Sequence, residues 1–308
     1  MRYLFLDTDP GIDDAIAILT LLGDKEVTMC GMSAVGGNVK LHHTLNNLLC
    51  LCEAAGRTDI PVYAGAPGPL FGALNDAAEV HGAAGLGGIC LAAPEKKPEA
   101  EDAAEGIYRA AKAHPGQLSL MAIGPLTNVA KALLAHPDLG ELLCEIFIMG
   151  GAIVGGNATL QSEFNIYVDP EAARIVFESG IKLTMAPLEI ANSMPITLEE
   201  LASLRPLGRA GTLAAEIGEA GIEVAKRYGR EGGWPIYDAV TAVCWLRPDL
   251  FEMKDFNVVI ETRGSKTRGR TVVDWYGFTK KPTNCAIPVS GDRDGYVKVL
   301  RENIGNLN

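Results

Sequence analysis

The chain has 308 residues, of which 48% are hydrophobic and 21% charged, and its formal net charge is −11. That length suits one α/β unit with a full core, and the composition is that of an ordinary soluble globular protein. The negative balance excludes the basic footprint that nucleic acid or an anionic membrane would need, and it suits a cation site with a neutral or weakly charged substrate.

Strand and helix patterns alternate along the chain. YLFLDTD (3–9) reads as a strand that runs into acids and Pro10-Gly11, and DDAIAILTLLG (13–23) as a helix with a glycine stop. VTMCGMSAV (27–35) is a second strand and 41–55 a second helix. LSLMAIG (118–124) and EIFIMGG (145–151) are strands ending in glycine turns, 169–177 is a helix opened by Pro170, and KLTMAPL (182–188) is a further strand. Residues 197–247 read as mainly helical, 255–290 as shorter strands, and a helix from about 292 closes the chain. Gly/Ala-rich stretches at 64–73 and 82–93 are long loops. The alternation predicts an α/β fold, a single domain over 1–308, with a mostly parallel central sheet flanked by helices in a Rossmann-like core. Ligands of such sheets bind beyond the carboxyl ends of the strands. Asp9, Gly36-Gly37-Asn38, Gly124-Pro125 and Gly150-Gly151 all fall there.

Seven cysteines, an odd number, show neither zinc nor disulfide spacing and are expected as buried, reduced thiols. No run of about 18 apolar residues exists to span a membrane, and the amino terminus lacks the pattern of a signal peptide. The expected location is the cytoplasm.

The chemistry concentrates in Asp7-Thr8-Asp9-Pro10-Gly11-Ile12-Asp13-Asp14. Asp13 and Asp14 fall in a first helical turn, where acids are favoured by the helix dipole, so capping is the plain alternative for them. Capping does not account for Asp9 beside them. Carboxylates crowded at a strand end repel unless protonated or bridged by a cation, and calcium or magnesium takes such oxygen ligands. D-x-D after a first strand also opens haloacid-dehalogenase-type phosphatases, with Asp7 as nucleophile. There a Thr or Val follows where this chain has Gly11, and no convincing downstream lysine-then-acid arrangement is present.

DTDPGIDDA, AVGGN (34–38), HGAAGLGG (81–88), AIGPLTN (122–128), IMGGAIVGGNAT (148–159), EFNIYVDPEAA (163–173) and YDAVTA (237–242) together resemble the inosine–uridine nucleoside hydrolase family. The resemblance spans most of the chain with the motifs in order. It implies calcium-dependent hydrolysis of ribonucleosides to ribose and free base, with a homodimer or homotetramer as the expected assembly. It implies Asp9 as general base and calcium ligand, Asp14 and Asp238 as further ligands, and Ile123 through its backbone carbonyl. It places Asp13, Asn38 and Asn165 in the polar shell of ribose and metal, Asn157 and Glu163 around the 5′-hydroxyl, and His81 near the base. Many members carry a histidine, placed to protonate the departing base, where this chain has Tyr237. A tyrosine there can donate a proton, stack on a purine, or simply pack as wall. The glycine-rich 225–236 stretch corresponds to a flap, with Arg227, Tyr228 and Trp234 as candidate covers. A nucleoside-binding protein without turnover is the non-enzymatic alternative.

Overall fold

The computed structural model describes residues 1–307. Ten strands form: β1 (Arg2–Thr8), β2 (Val27–Ala34), β3 (Val62–Ala64), β4 (Leu118–Ala122), β5 (Leu143–Met149), β6 (Leu183–Ala186), β7 (Phe251–Phe256), β8 (Val258–Ile260), β9 (Thr271–Val273) and β10 (Cys285–Gly291). Eight of them build one sheet in the order β3-β2-β1-β4-β5-β6-β10-β7, and β8 pairs with β9 in a separate two-stranded ribbon. All neighbours in the large sheet run parallel except β10 and β7, which are antiparallel.

β1 lies near the middle of this sheet and is apolar on both sides. Leu4 and Leu6 enter the core on one face and Phe5 the core on the other, as the two-residue period of a strand requires. All three are fully buried, and burial of each such side chain stabilises the fold by about 1.5–3 kcal/mol. The first face is covered by helices Ile12–Leu22, Leu41–Ala54, Arg209–Arg227, Tyr237–Leu246 and Arg293–Gly305, and the second by Ala103–Ala113, Thr127–Ala135 and Pro170–Phe177.

The Ile12–Leu22 helix is apolar nearly all round because it lies inside the molecule, packed against the Arg209–Arg227, Tyr237–Leu246 and Arg293–Gly305 helices. The Tyr237–Leu246 helix is likewise buried from Asp238 to Leu246. The first carboxylates of the chain are thereby packed beside one that comes late in the sequence.

The parallel registers bring the strand ends level. Thr8 pairs with Ala34, Asp7 with Ala122, Ala122 with Ile148, and Met149 with Ala186. The loops after β1, β2, β4, β5 and β6 therefore open on one crevice. The β7 strand and the Ala103–Ala113 helix were not expected from the sequence. β7 alternates poorly, with Glu252, Lys254 and Asp255 along an outer strand, and the helix carries Gly106 in its interior, pressed against the Tyr63 ring. The cysteine expectation is corrected in part: all seven are free thiols, but Cys90 and Cys144 are exposed and Cys30 is only half-buried. No helix among the described residues is long and apolar enough to cross a membrane.

Candidate active site

Asp9 is the first residue beyond β1 and is fully buried. Asn38, from the loop after β2, donates its backbone N–H to Asp9 Oδ2 at 2.7 Å and its side-chain amide to the Asp9 carbonyl at 3.2 Å. Two glycine turns close around the same carboxylate. A Cβ at Gly37 would run into Oδ2, and one at Gly124 would lie 2.6 Å from Oδ1. Only glycine lets both backbones approach this closely. Asp9 Oδ1 is left buried without a hydrogen-bond partner.

Asp14 belongs to the first turn of the Ile12–Leu22 helix. Its Oδ2 accepts from the Gly11 N–H at 2.9 Å and from the Asn38 amide at 3.0 Å, and its Oδ1 from the Thr8 hydroxyl at 2.5 Å and the Asp9 N–H at 3.2 Å. Capping is therefore part of what Asp14 does. The Asp13 carboxylate also takes backbone hydrogen bonds at the helix start, from its own N–H and that of Asp14, but capping does not account for its Oδ1, which is buried and unpartnered. Carboxylate oxygens of Asp13, Asp14 and Asp238 lie within 4.8 Å of one another. Burial raises the pKa of each of these acids, and of Asp9, above the usual carboxylate range, and the neighbouring acids raise those of Asp9, Asp14 and Asp238 further. An all-oxygen donor set, crowded negative charge and orphaned buried oxygens together suit a hard cation.

Ile123 follows β4. Its carbonyl accepts the Asn165 amide at 3.0 Å and, as a carbonyl oxygen, keeps a second lone pair. The Asn165 amide also donates to the Met149 carbonyl at 3.2 Å, which ties the ends of β4 and β5 together. Glu163 caps the Phe164–Val168 helix, accepting from the N–H groups of Gly151, Asn165 and Ile166 at 3.0, 2.9 and 3.2 Å. Burial nevertheless raises its pKa to about 7. Asn157 is exposed and accepts the Phe164 N–H at 2.9 Å. In this state both residues hold the loop after β5 in shape. Asp7 lies behind the site, where its Oδ1 accepts from Ser33 at 2.5 Å and Asn128 at 2.8 Å.

His81 Nδ1 accepts the Ile12 N–H at 3.2 Å. Burial lowers its pKa to about 4, so at neutral pH the ring is uncharged, with its proton on Nε2. Its Nδ1 lies 3.9 Å from Asp13 Oδ1, too far for a hydrogen bond, and does not neutralise that acid.

At the mouth, Tyr237 opens the helix that carries Asp238. Its hydroxyl donates to Asn192 Oδ1 at 3.1 Å and accepts from Arg230 Nη1 at 3.2 Å, while Arg230 Nη1 donates to Asn192 Oδ1 at 2.7 Å. Burial raises the phenol's pKa, Arg230 opposes that shift, and Asp13 and Glu163 add to it. Asn192 and Arg230 are not among the residues the sequence singles out: Asn192 lies in no motif, and Arg230 lies within the 225–236 stretch without a signal that sets it apart from Arg227, Tyr228 and Trp234. Of the flap candidates, Tyr228 is 64% exposed and caps the Arg209–Arg227 helix beside Arg227. Trp234 is not a cover: it is buried, with its ring pressed on Gly221 and its backbone paired with Ile196.

The sequence profile of the inosine-uridine preferring nucleoside hydrolases matches residues 4–298. The chain belongs to that family. This hydrolase is 39% identical over 307 residues to the pyrimidine-specific ribonucleoside hydrolase RihA of Enterobacter sp., covering 99% of this chain and 98% of the relative. Among solved structures it is similar to the purine-preferring ribonucleoside hydrolase of Gardnerella vaginalis, with a TM-score of 0.93, 28% identity and 99% of each chain covered. It is also similar to the plant nucleoside hydrolase PpNRh1, with a TM-score of 0.91, 30% identity and 98% of each chain covered. As a member of this family the hydrolase acts on N-glycosyl bonds.

Proposed function

We propose that the chain hydrolyses the N-glycosidic bond of ribonucleosides to ribose and free nucleobase, with calcium as its resident ion. The observation that carries this is the convergence of Asp9, Asp13, Asp14 and Asp238 in one buried crevice, with oxygens of Asp9 and Asp13 left unpartnered. Asp9, Asp14, Asp238 and the Ile123 carbonyl would hold the ion. Bound there, calcium would supply a template for ribose hydroxyls and water and lower the pKa of that water.

The remaining work falls to the chain's own groups. Asp9 Oδ1 is the base that takes a proton from water as it attacks the anomeric carbon. Asn38 fixes the other oxygen of that carboxylate, so the free oxygen has a defined direction. Breaking the bond leaves positive charge on the ribosyl ring. Asp13 and its neighbours meet that charge with preorganised negative oxygens. Asn165 commits its amide nitrogen to two carbonyls, which orients its remaining oxygen as an acceptor for a sugar hydroxyl. The neutral His81 can only offer Nε2–H as a hydrogen-bond donor.

The test is release of reducing sugar from inosine, adenosine, uridine and cytidine by protein stripped with a chelator and then given calcium. Ribose release restored by calcium supports the proposal. If no nucleoside yields ribose with calcium present, the proposed activity is wrong.

A further inference from the structure

We propose that Arg230 and Asn192 form the base-reading edge of the site and select nucleobases whose far edge carries a carbonyl oxygen, as in uracil and hypoxanthine. Bases with an amino group there, such as cytosine and adenine, would be disfavoured. This rests on the nucleosidase activity proposed above and adds which base it takes.

The case comes from counting donors and acceptors. Asn192 Oδ1 accepts from both Arg230 Nη1 and the Tyr237 hydroxyl, at 2.7 and 3.1 Å, so its acceptor capacity is filled. What Asn192 has left is its amide nitrogen, a donor. Arg230 has five N–H donors and no acceptor, and among the described residues only its Nη1 makes side-chain hydrogen bonds. The Tyr237 hydroxyl already donates once and accepts once within the cluster. The rim therefore presents N–H groups to an incoming ring. A carbonyl oxygen satisfies them, whereas an amino group opposes N–H to N–H.

The cluster is anchored. Gly229 takes a positive φ of 72°, and the Arg230 N–H then returns to the Ala225 carbonyl at 3.0 Å. On the other side Trp234 exchanges two backbone hydrogen bonds with Ile196, each 2.9 Å. Asn192 ends the Leu188–Asn192 helix, which follows β6, and Glu189 of the same helix holds the Ile153 and Val154 N–H groups of the loop after β5. Tyr237 is the chain neighbour of Asp238, so the cluster borders the carboxylate centre.

The same arrangement assists bond breaking. As the bond from the anomeric carbon to the base nitrogen breaks, its electron pair stays with the base and spreads onto the conjugated carbonyl oxygen. The guanidinium stabilises that oxygen, and the base afterwards takes a proton from solvent water. Tyr237 then acts as a positioning residue for Arg230.

The experiment measures kcat/KM for uridine, cytidine, inosine and adenosine with the calcium-loaded full chain and with two variants. Unaltered protein should favour uridine over cytidine and inosine over adenosine by roughly tenfold or more, since a polar site rejects a mismatched partner strongly. Arg230→Met should bring both ratios toward one. Asn192→Asp, which puts an acceptor where the amide nitrogen was, should move both ratios toward the amino-bearing bases. An unaltered protein with no preference overturns the inference, as do ratios that persist in Arg230→Met or an equal loss on all four substrates. Absence of ribose release from every nucleoside with the unaltered protein overturns the nucleosidase proposal itself, and the base-reading edge with it.

Discussion

Asn38 holds Asp9 at two points, its backbone N–H on the carboxylate at 2.7 Å and its side-chain amide on the carbonyl at 3.2 Å, while the same amide reaches Asp14 at 3.0 Å. One residue from the loop after β2 thus sets the spacing of two acids. Asn38→Ala keeps the backbone contact and removes the other two. Its kcat/KM is expected to fall by about 10²-fold, the scale of a displaced catalytic group, with weaker calcium binding in titration calorimetry. Activity within twofold of the unaltered protein would show that the backbone contact alone suffices.

Asp9→Asn separates activity from stability. Loss of a general base costs about 10²–10⁴-fold in rate, so ribose release should drop by at least that. The metal-free variant should nevertheless melt higher, because it removes a carboxyl whose ionisation is opposed by burial first and then by Asp14, Asp13 and Asp7. Differential scanning calorimetry in chelator decides this, and a lower melting temperature would contradict it.

The acid cluster fixes the sign of a pH dependence. Burial raises Glu163 and Asp7 to about 7 in the folded chain, above their values of 4.5 and 3.8 in the open chain. Between those limits the folded state holds protons that the unfolded state has released. Stability is therefore full below about pH 4 for these groups and is lost as pH rises through about 7. Metal-free protein should lose stability, on the order of several kcal/mol, from pH 5 to pH 8. Calcium should offset most of that loss at the alkaline end. Urea melts across this range, with chelator and with calcium, provide the measurement.

Tyr237→Phe and Tyr237→Ala distinguish a proton donor from a positioning ring. The phenol hydrogen bonds to Asn192 and receives one from Arg230, so its proton is directed to a neighbour within the cluster. Tyr237→Phe is expected to cost about 3- to 30-fold in kcat/KM, the value of one or two hydrogen bonds, without moving the alkaline limb of the pH profile. Tyr237→Ala should cost more through lost packing. A pH limb that disappears in Phe would make the phenol the acid.

Much of the fold was legible because parallel strands buried on both faces are continuous apolar runs, as in YLFL and IFIM, and the glycines after them mark turns. The acid site was legible for a related reason: Asp7, Asp9, Asp13 and Asp14 are adjacent in sequence. Asp238 came only through family resemblance, since nothing local marks a lone acid near position 238 as a partner of position 14. The Ala103–Ala113 helix had a readable start, Asp102 accepting from the Glu105 N–H at 3.1 Å, but its small alanine face gave a weak apolar signal. Arg230 and Asn192 meet across a turn and a helix end, and such a meeting leaves no trace in spacing.

The packing of Ile12–Leu22 against both the Tyr237–Leu246 and Arg293–Gly305 helices has a consequence in time. A ribosome adding about 5–20 residues each second releases Asp9, Asp13 and Asp14 first, and Asp238 follows only after roughly 10–45 s. The closing helix, which covers the same core, comes later still. Until then the nascent chain carries an acid cradle with one wall missing, and a cation captured early would meet an incomplete set of ligands. The active centre is among the last parts of the molecule to exist, although its first residues are among the first to be made.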